Sequence, residues 1–418
     1  MNTGQLTTSP TVVSLFSGCG GLDLGFHELG FDLVYACDND PAAIRVFKEN
    51  IDERVFVRDV TSDEFHGEIS SLGSCDVVLG GFPCQGFSKA GPKKTDDPRN
   101  FLYLEMKRAV EVLRPKVFLA ENVDGLSQNF KGAYLEKIVS DFQSIGYHVE
   151  YRILNAANFG VPQHRRRIIF VGIEDSVGEH VFDWPILTHV AKERNGERAL
   201  NPQPGLFDST PETVQEKAVT IARAIGDLSR SLGSLNDHKY SEKWPDDYWK
   251  ILGKIGAGQK LCNVRFSPSS VYTWEIPEVF GDVDERDIEI LEAIGKNRRH
   301  KRYGDIPNGN PIPESEIQNL TGQKNIKPNI HKLLEQGYLK EKNGGYDLKG
   351  AMFCSGLFKR PHWDSLSPTV LTNFGNPRFF VHPTEDRPFT LRECARLQGF
   401  PDSFLFLSEE SEKALIDG

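Results

Sequence analysis

The sequence predicts an α/β protein: a doubly wound, mostly parallel sheet followed by a second, mixed domain. Three observations carry this. Residues 11–175 alternate short apolar runs with segments of helical spacing, the pattern of βαβ units. The first apolar run feeds a cluster of glycines, as strand-to-helix turns beside a ligand do. After Asp175 the chain becomes richer in Pro, Gly and polar residues, with scattered Trp and no sustained period.

The elements follow in order. Thr11–Phe16 is β-rich and ends at glycine, and Leu22–Leu29 has helical spacing. Phe31–Ala36 reads as the second strand. Pro41–Asn50 reads as a helix with Asp40 as N-cap and Pro41 in its first turn. Val55–Val57 is a short strand and Cys75–Phe82 another. Phe101–Leu113 is a helix stopped by Pro115, Lys116–Ala120 a further strand, and Ile168–Val171 closes the run. In the second part, Asn329–Glu335 looks helical with Gly337 as its stop. Tyr338–Glu341 and Tyr346–Leu348 flank an Asn343-Gly344 turn, the signal of a hairpin. The expected domains are 1–175, 176–365, and a return segment at 366–418.

Composition narrows the class. With 418 residues, 39% hydrophobic and 26% charged, the chain is an ordinary globular protein of two or three domains. No run approaches 18 apolar residues, and Met1–Pro10 lacks a secretory pattern, so the cytoplasm is the expected location, with no membrane partner. Seven cysteines without a Cys-x-x-Cys pair argue against a disulfide framework or a zinc ribbon. The net charge of −10 speaks against a nucleic-acid partner only as a total. Glu275–Glu292 holds eight acids and one base, and Leu405–Gly418 four acids and one base, which together account for all of it. Elsewhere Tyr151–Phe170 has four arginines and no acid, and Lys296–Arg302 five bases and no acid. Local field, not total charge, decides phosphate binding.

Two places carry chemistry. Ser14–Gly25 brings Gly18, Gly20, Gly21 and Gly25 between a strand and a helix, where backbone N–H groups face a ligand. Asp38, 20 residues after Gly18, ends the second strand, where an acid commonly accepts from ribose hydroxyls. Asp59 is a third candidate in the same crevice. Each acid alone is as well explained as a cap or turn former, but together they favour a nucleoside-bearing cofactor. The second place is Pro83-Cys84-Gln85 after one strand and Glu121-Asn122-Val123 after the next, both at carboxyl ends on the ligand-binding rim. A thiol and a carboxylate there suit covalent addition to an electron-poor ring with acid assistance. A buried, inert Cys84 is the bland alternative; its setting between a strand and a Gly-rich loop tips the balance.

Phe16-Ser-Gly-Cys-Gly-Gly, Pro83-Cys84-Gln85, Glu121-Asn122-Val123, Gln163-His-Arg165-Arg-Arg167 and Arg392-Glu-Cys-Ala-Arg-Leu-Gln-Gly-Phe-Pro401 occur in that order. This set resembles the cytosine-C5 DNA methyltransferase family over about the first 175 and last 50 residues. The resemblance implies a Rossmann-like methyltransferase domain that takes S-adenosylmethionine and needs no metal. It places the cofactor on Phe16, Ser17, Gly18, Gly20, Gly21, Leu22, Asp38, Asp59, Val60, Pro83 and Leu102. Asp38 would serve the ribose and Asp59 the adenine amino group. Cys84 would attack C6 of a flipped cytosine in double-stranded DNA, and Glu121 would hold its N3 and amino edge. Arg165 would meet the O2 side and Arg167 would arrange the catalytic loop, with Lys89–Asn100 closing over the base. By the same resemblance 176–365 reads the DNA sequence, in the manner of a restriction-modification enzyme.

Two points stay open. Asn329–Leu348 is either a packing unit, the first expectation, or a helix-and-wing DNA contact. The family ends in a Gly-Asn-Ser/Ala-Val motif, and this sequence stops at Leu415-Ile-Asp-Gly418, about where it should begin. The expectation is therefore a truncated chain or a second polypeptide supplying the motif. The rivals are an RNA (tRNA) cytosine-C5 methyltransferase and a non-catalytic DNA-binding subunit.

Overall fold

Strand β1 (Thr11–Leu15) lies within a seven-stranded sheet, and its run Val12-Val13-Ser14-Leu15 is buried on both faces, as a central parallel strand must be. The computed structural model describes residues 9–83, 101–127, 132–178, 182–191, 216–228, 237–262, 269–306, 309–349 and 357–406. These fall into two compact units, Met1–Val219 with Arg396–Gly418, and Thr220–Ala395. Residues 176–219 thus group with the first unit and 366–395 with the second.

In the first unit β1 is followed by α1 (Asp23–Glu28), β2 (Asp32–Asp38), α2 (Pro41–Asn50), β3 (Val55–Val57) and α3 (Asp63–Ser71). Then come β4 (Val77–Gly80), α4 (Tyr103–Leu113), β5 (Val117–Val123), α5 (Ala133–Gln143), β6 (Tyr147–Asn155) and β7 (Arg166–Glu174). A short pair, β8 (His189–Val190) with β9 (Glu216–Lys217), lies beyond. The sheet order is β3-β2-β1-β4-β5-β7-β6. The first five strands run parallel; β7 is antiparallel to both β5 and β6. The fold is therefore the doubly wound, mostly parallel α/β class. One core lies around Val13, Phe118, Phe142 and Phe170, and a second around Phe47, Leu79 and Phe404.

The sequence pattern did not expose α3, α5 or β6. Helix α3 is capped by Ser62, whose Oγ accepts from Phe65 N at 3.2 Å, but buries only Phe65 and Ile69. Strand β6 has no clean alternation, because most of its residues are only half-buried.

The second unit comprises α6 (Ile221–Ile225), α7 (Asp246–Leu252), β10 (Lys260–Cys262), β11 (Ser270–Tyr272), α8 (Pro277–Phe280) and α9 (Glu285–Asn297). It continues with α10 (Glu314–Thr321), α11 (Lys327–Glu335), β12 (Leu339–Lys342) and β13 (Gly345–Leu348). The unit boundary then falls within α12 (Leu391–Leu397). Both the hairpin and the helix before it lie where the sequence signals put them. Asn343 and Gly344 take φ of +50° and +73°, as a tight hairpin turn requires. Helix α9 was hidden inside the acidic block. Its Ile290, Leu291 and Ile294 are fully buried, while most of its acids line the other faces.

Candidate functional site

The Gly loop is shaped by backbone conformations that few side chains allow. Phe16 and Gly18 have φ of +56° and +53°, and Gly20 has +90°. A Cβ on Gly20 would stand 2.8 Å from Ile51, so this glycine serves packing toward α2 rather than a ligand. Around Gly18 the same test meets open space. The loop is tied to the end of β2: Ser17 N donates to Cys37 O at 3.1 Å, and Gly18 N to Asp38 Oδ2 at 2.9 Å. Asp38 Oδ1 accepts from Asp40 N at 3.0 Å, and each oxygen keeps a further lone pair for a hydroxyl.

Glu121, Arg165 and Arg167 meet for a reason written in strand parity. On the β5–β7 ladder Glu121 lies opposite Ile169 and Val123 opposite Arg167. Cross-strand partners share a face and residues alternate along a strand, so Glu121 and Arg167 face the same side on a diagonal. Their ion pair is 2.6 Å, Arg167 Nε to Glu121 Oε1. Arg165, two residues before Arg167, reaches the same side. Asn155 holds the preceding turn, its Oδ1 accepting from Arg165 N at 3.2 Å and Ala157 N at 3.3 Å. The Arg165 guanidinium has no partner among the described residues. Burial, then the like charge of Arg167, brings its pKa down to about 10.

A cavity of about 680 Å³ joins these features. Phe16, Ser17, Gly18, Gly21, Leu22, Glu121, Arg165 and Arg167 line it, which brings together eight of the residues singled out in the sequence. That volume suits a small organic ligand, for which pockets of about 300–1,000 Å³ are typical. The other candidates lie off its wall. Val60 is core, Leu102 precedes α4 and packs on the core, and Pro83 is half-buried after β4. Asp59 is exposed and closes its own turn, Oδ1 accepting from Thr61 N at 2.9 Å and Thr61 Oγ1 at 2.7 Å. These bonds hold its carboxyl below the usual range and leave Oδ2 open. Cys84, Gln85 and Lys89–Asn100 lie outside the described residues, as does the chain after Phe406.

Four further residues matter that the sequence reading gave no role. Asn122, buried beside Glu121, donates from Nδ2 to Phe82 O at 2.9 Å, two residues before Cys84 in the chain. Gln163 is fully buried and donates to Leu397 O at 3.1 Å. Phe400 packs 3.3 Å from where a Cβ on Gly21 would stand, so the last motif lies on the Gly loop. Asp23 lines the cavity, is 2% exposed, and neither carboxylate oxygen finds a hydrogen-bond partner among the described residues. All four sat inside quoted motifs, but nothing in the sequence marked Asp23 as buried.

An open Gly loop at the end of one strand and a carboxylate–arginine pair on the rim of the next two define a nucleotide-cofactor enzyme of the doubly wound class. A family profile described as C-5 cytosine-specific DNA methylase matches residues 10–416. The chain belongs to that family and is a DNA cytosine-5 methyltransferase. Among its relatives, Type II methyltransferase M.HgiCI of Herpetosiphon aurantiacus is 33% identical over 415 residues, covering 96% of this chain and 91% of the relative. Type II methyltransferase M.BanI of Aneurinibacillus aneurinilyticus is 32% identical over 409 residues, covering 96% and 90%. Type II methyltransferase M.AgeI of Thalassovita gelatinovora is 31% identical, covering 94% and 92%. Nothing in these comparisons supports a second polypeptide. No described helix is long and apolar enough to cross a membrane.

Proposed function

We propose that this chain methylates C5 of a flipped cytosine in double-stranded DNA, through a covalent Cys84 adduct, as the protecting half of a cytoplasmic restriction-modification system. The first unit carries the chemistry and the second reads the target. The observation that carries this reading is the shared face of Glu121, Arg165 and Arg167 in one cavity with the Gly loop.

The Gly18 cradle and the Asp38 carboxylate fit a nucleoside: open space at Gly18, and acceptor capacity left on both oxygens. S-adenosylmethionine bound there supplies an activated methyl group. Phe16, Ser17, Gly18, Gly21 and Leu22 would hold it, with Asp38 on the ribose. Asp59 would offer its open oxygen to the adenine amino group.

The Cys84 sulfur forms a bond to C6 of the cytosine, and the ring's electrons move to C5. Glu121, oriented by Arg167, holds the N3 and amino edge as that side gains electrons. Arg165 is free to meet the O2 oxygen, and burial strengthens that contact. C5 then takes the methyl group, the donor leaving as a neutral thioether, and gives its proton to solvent water, and the C6–S bond breaks to return the Cys84 thiolate and release 5-methylcytosine. Asn122 positions the loop entry through Phe82 O, so it fixes where the thiol's strand ends.

The test uses DNA containing 5-fluorocytosine with the methyl donor. Fluorine cannot leave as a cation, so the adduct is trapped. A covalent complex with DNA that disappears in Cys84→Ala is expected. An adduct with RNA in place of DNA, or no adduct with either, overturns the proposal.

A further inference from the structure

Ser14 of β1 interrupts an apolar face of the sheet. It stands opposite Ala36 of β2 and Leu79 of β4, and strand parity puts it on the same face as Val12. Val12, Ala36, Leu79 and Phe47 of α2 form one core there, with Leu22, Leu24 and Phe26 packed against it. Into this layer the chain sets a hydroxyl and a carboxylate, Ser14 at 1% and Asp23 at 2% exposure. A buried polar group without full hydrogen bonding destabilises a fold, and apolar side chains would fill the same space without that penalty.

Both residues also line the cavity of the Gly loop. The two Asp23 oxygens are closed to water and have no hydrogen bond of full geometry among the described residues. The Ser14 hydroxyl is the side-chain group that reaches them, and no described Lys, Arg or His pairs with them. Burial pushes the Asp23 pKa up to about 6, which still leaves the group ionised at neutral pH. An ionised carboxylate only accepts, so a hydroxyl beside it turns its proton inward. The Ser14 oxygen then offers its lone pairs to the cavity, backed by a buried negative charge. A site of that polarity selects a donor that is also a cation. The other acid on the cavity wall, Glu121, is already held at 2.6 Å by Arg167.

We propose that Ser14 and Asp23 form the subsite for the α-ammonium group of S-adenosylmethionine, on the reading that this cavity takes that cofactor. The Ser14 oxygen accepts from the ammonium. Asp23 acts through Ser14 as a positioning residue: it holds the hydroxyl in the accepting direction and supplies the charge behind it. The ammonium in turn gives the buried carboxylate a counter-ion that no described residue provides. With Asp38 open to the ribose, acceptors for both ends of the cofactor come from the single stretch between β1 and the end of β2.

The experiment is titration calorimetry of the full chain at neutral pH with S-adenosylhomocysteine and with its desamino analogue, which keeps the carboxylate and lacks the ammonium. Wild type should prefer the first ligand by about 10–100-fold, the usual worth of a charged hydrogen bond. In Asp23→Asn the new amide can donate to Ser14 Oγ and reverse the hydroxyl. The preference should then fall to about threefold or less, with affinity for the desamino analogue kept. A preference unchanged in that variant, including an equal loss for both ligands as a structural role would give, overturns the inference. So does a loss seen with S-adenosylmethionine and absent with S-adenosylhomocysteine, which would put the charge at the sulfonium. A melting curve checks the fold; if Asp23→Asn melts early, a preference retained in Ser14→Ala overturns the inference instead. Wild-type binding of S-adenosylhomocysteine alongside any of these results leaves the cofactor reading standing. A wild-type chain that binds neither ligand overturns both.

Discussion

Two clusters of arginine and carboxylate can be set side by side. In the second unit Arg387 is buried and forks onto Glu393 at 2.7 and 2.9 Å, with Glu385 at 2.8 Å as a further partner. Glu393 also accepts from Thr390 N at 2.9 Å, ahead of α12, and Arg360 nearby donates to four backbone carbonyls. In the first unit Glu121 has Arg167, but the Arg165 guanidinium has no hydrogen-bond partner among the described residues, and all three border open volume. The chemistry is the same; the state of completion differs. A saturated network can only hold the fold. An unsaturated one has binding capacity left, and that is where a ligand's polar groups can be met.

The sharpest way to break this comparison is to remove one carboxylate from each cluster. Glu393→Gln leaves Arg387 buried with one charged partner fewer, a change expected to cost about 3–5 kcal/mol of stability. The measurement is the urea midpoint, and an unmoved midpoint would show that the cluster does not hold the fold. Glu121→Gln is expected to lose about 10²–10³-fold in methyl transfer, the usual effect of deleting one preorganised stabilising group. Its unfolding free energy in urea should fall by less than about 1 kcal/mol, as for a partly exposed pair. Equal losses of stability in the two variants would erase the distinction.

The same contrast explains what could be read from the sequence. The first unit was legible wherever one residue type has one use. Glycines after β1, an acid ending β2, and Arg-x-Arg before an apolar run each fix a strand end or a face. The ion pair itself was not legible, because it depends on β7 running antiparallel between β5 and β6. Sequence alternation predicts a strand but not its neighbour. Asp23 was invisible for a related reason: an Asp early in a helix reads as a favourable first-turn acid, and only packing buries it. In the second unit the hairpin was legible from Asn343-Gly344, since the turn needs positive φ. Helix α9 was not, because its acids mask a three-residue apolar stripe.

Asp23 combines features of both clusters, buried as Glu393 is and, like Arg165, without a hydrogen bond of full geometry among the described residues. Burial pushes its pKa up to about 6, and the nearby Ser14 hydroxyl offers only partial relief. The sign follows from proton binding. Between the ordinary carboxylate range and pH 6 the folded chain keeps a proton that the unfolded chain has lost, so stability falls as pH rises through that window. Above it the folded chain carries an unmatched charge, with a loss of about 3 kcal/mol at most for a shift of two units. Asp23→Asn removes the charge at nearly constant shape, yet leaves a buried amide to satisfy, so the gain should be about 1–2 kcal/mol at pH 8. That gain should shrink to nothing near pH 4, where both forms are neutral. Urea unfolding of the two proteins at pH 4 and pH 8 decides it. A difference that does not change with pH would mean that Asp23 has a partner in solution, and would move it from the unsaturated class to the saturated one.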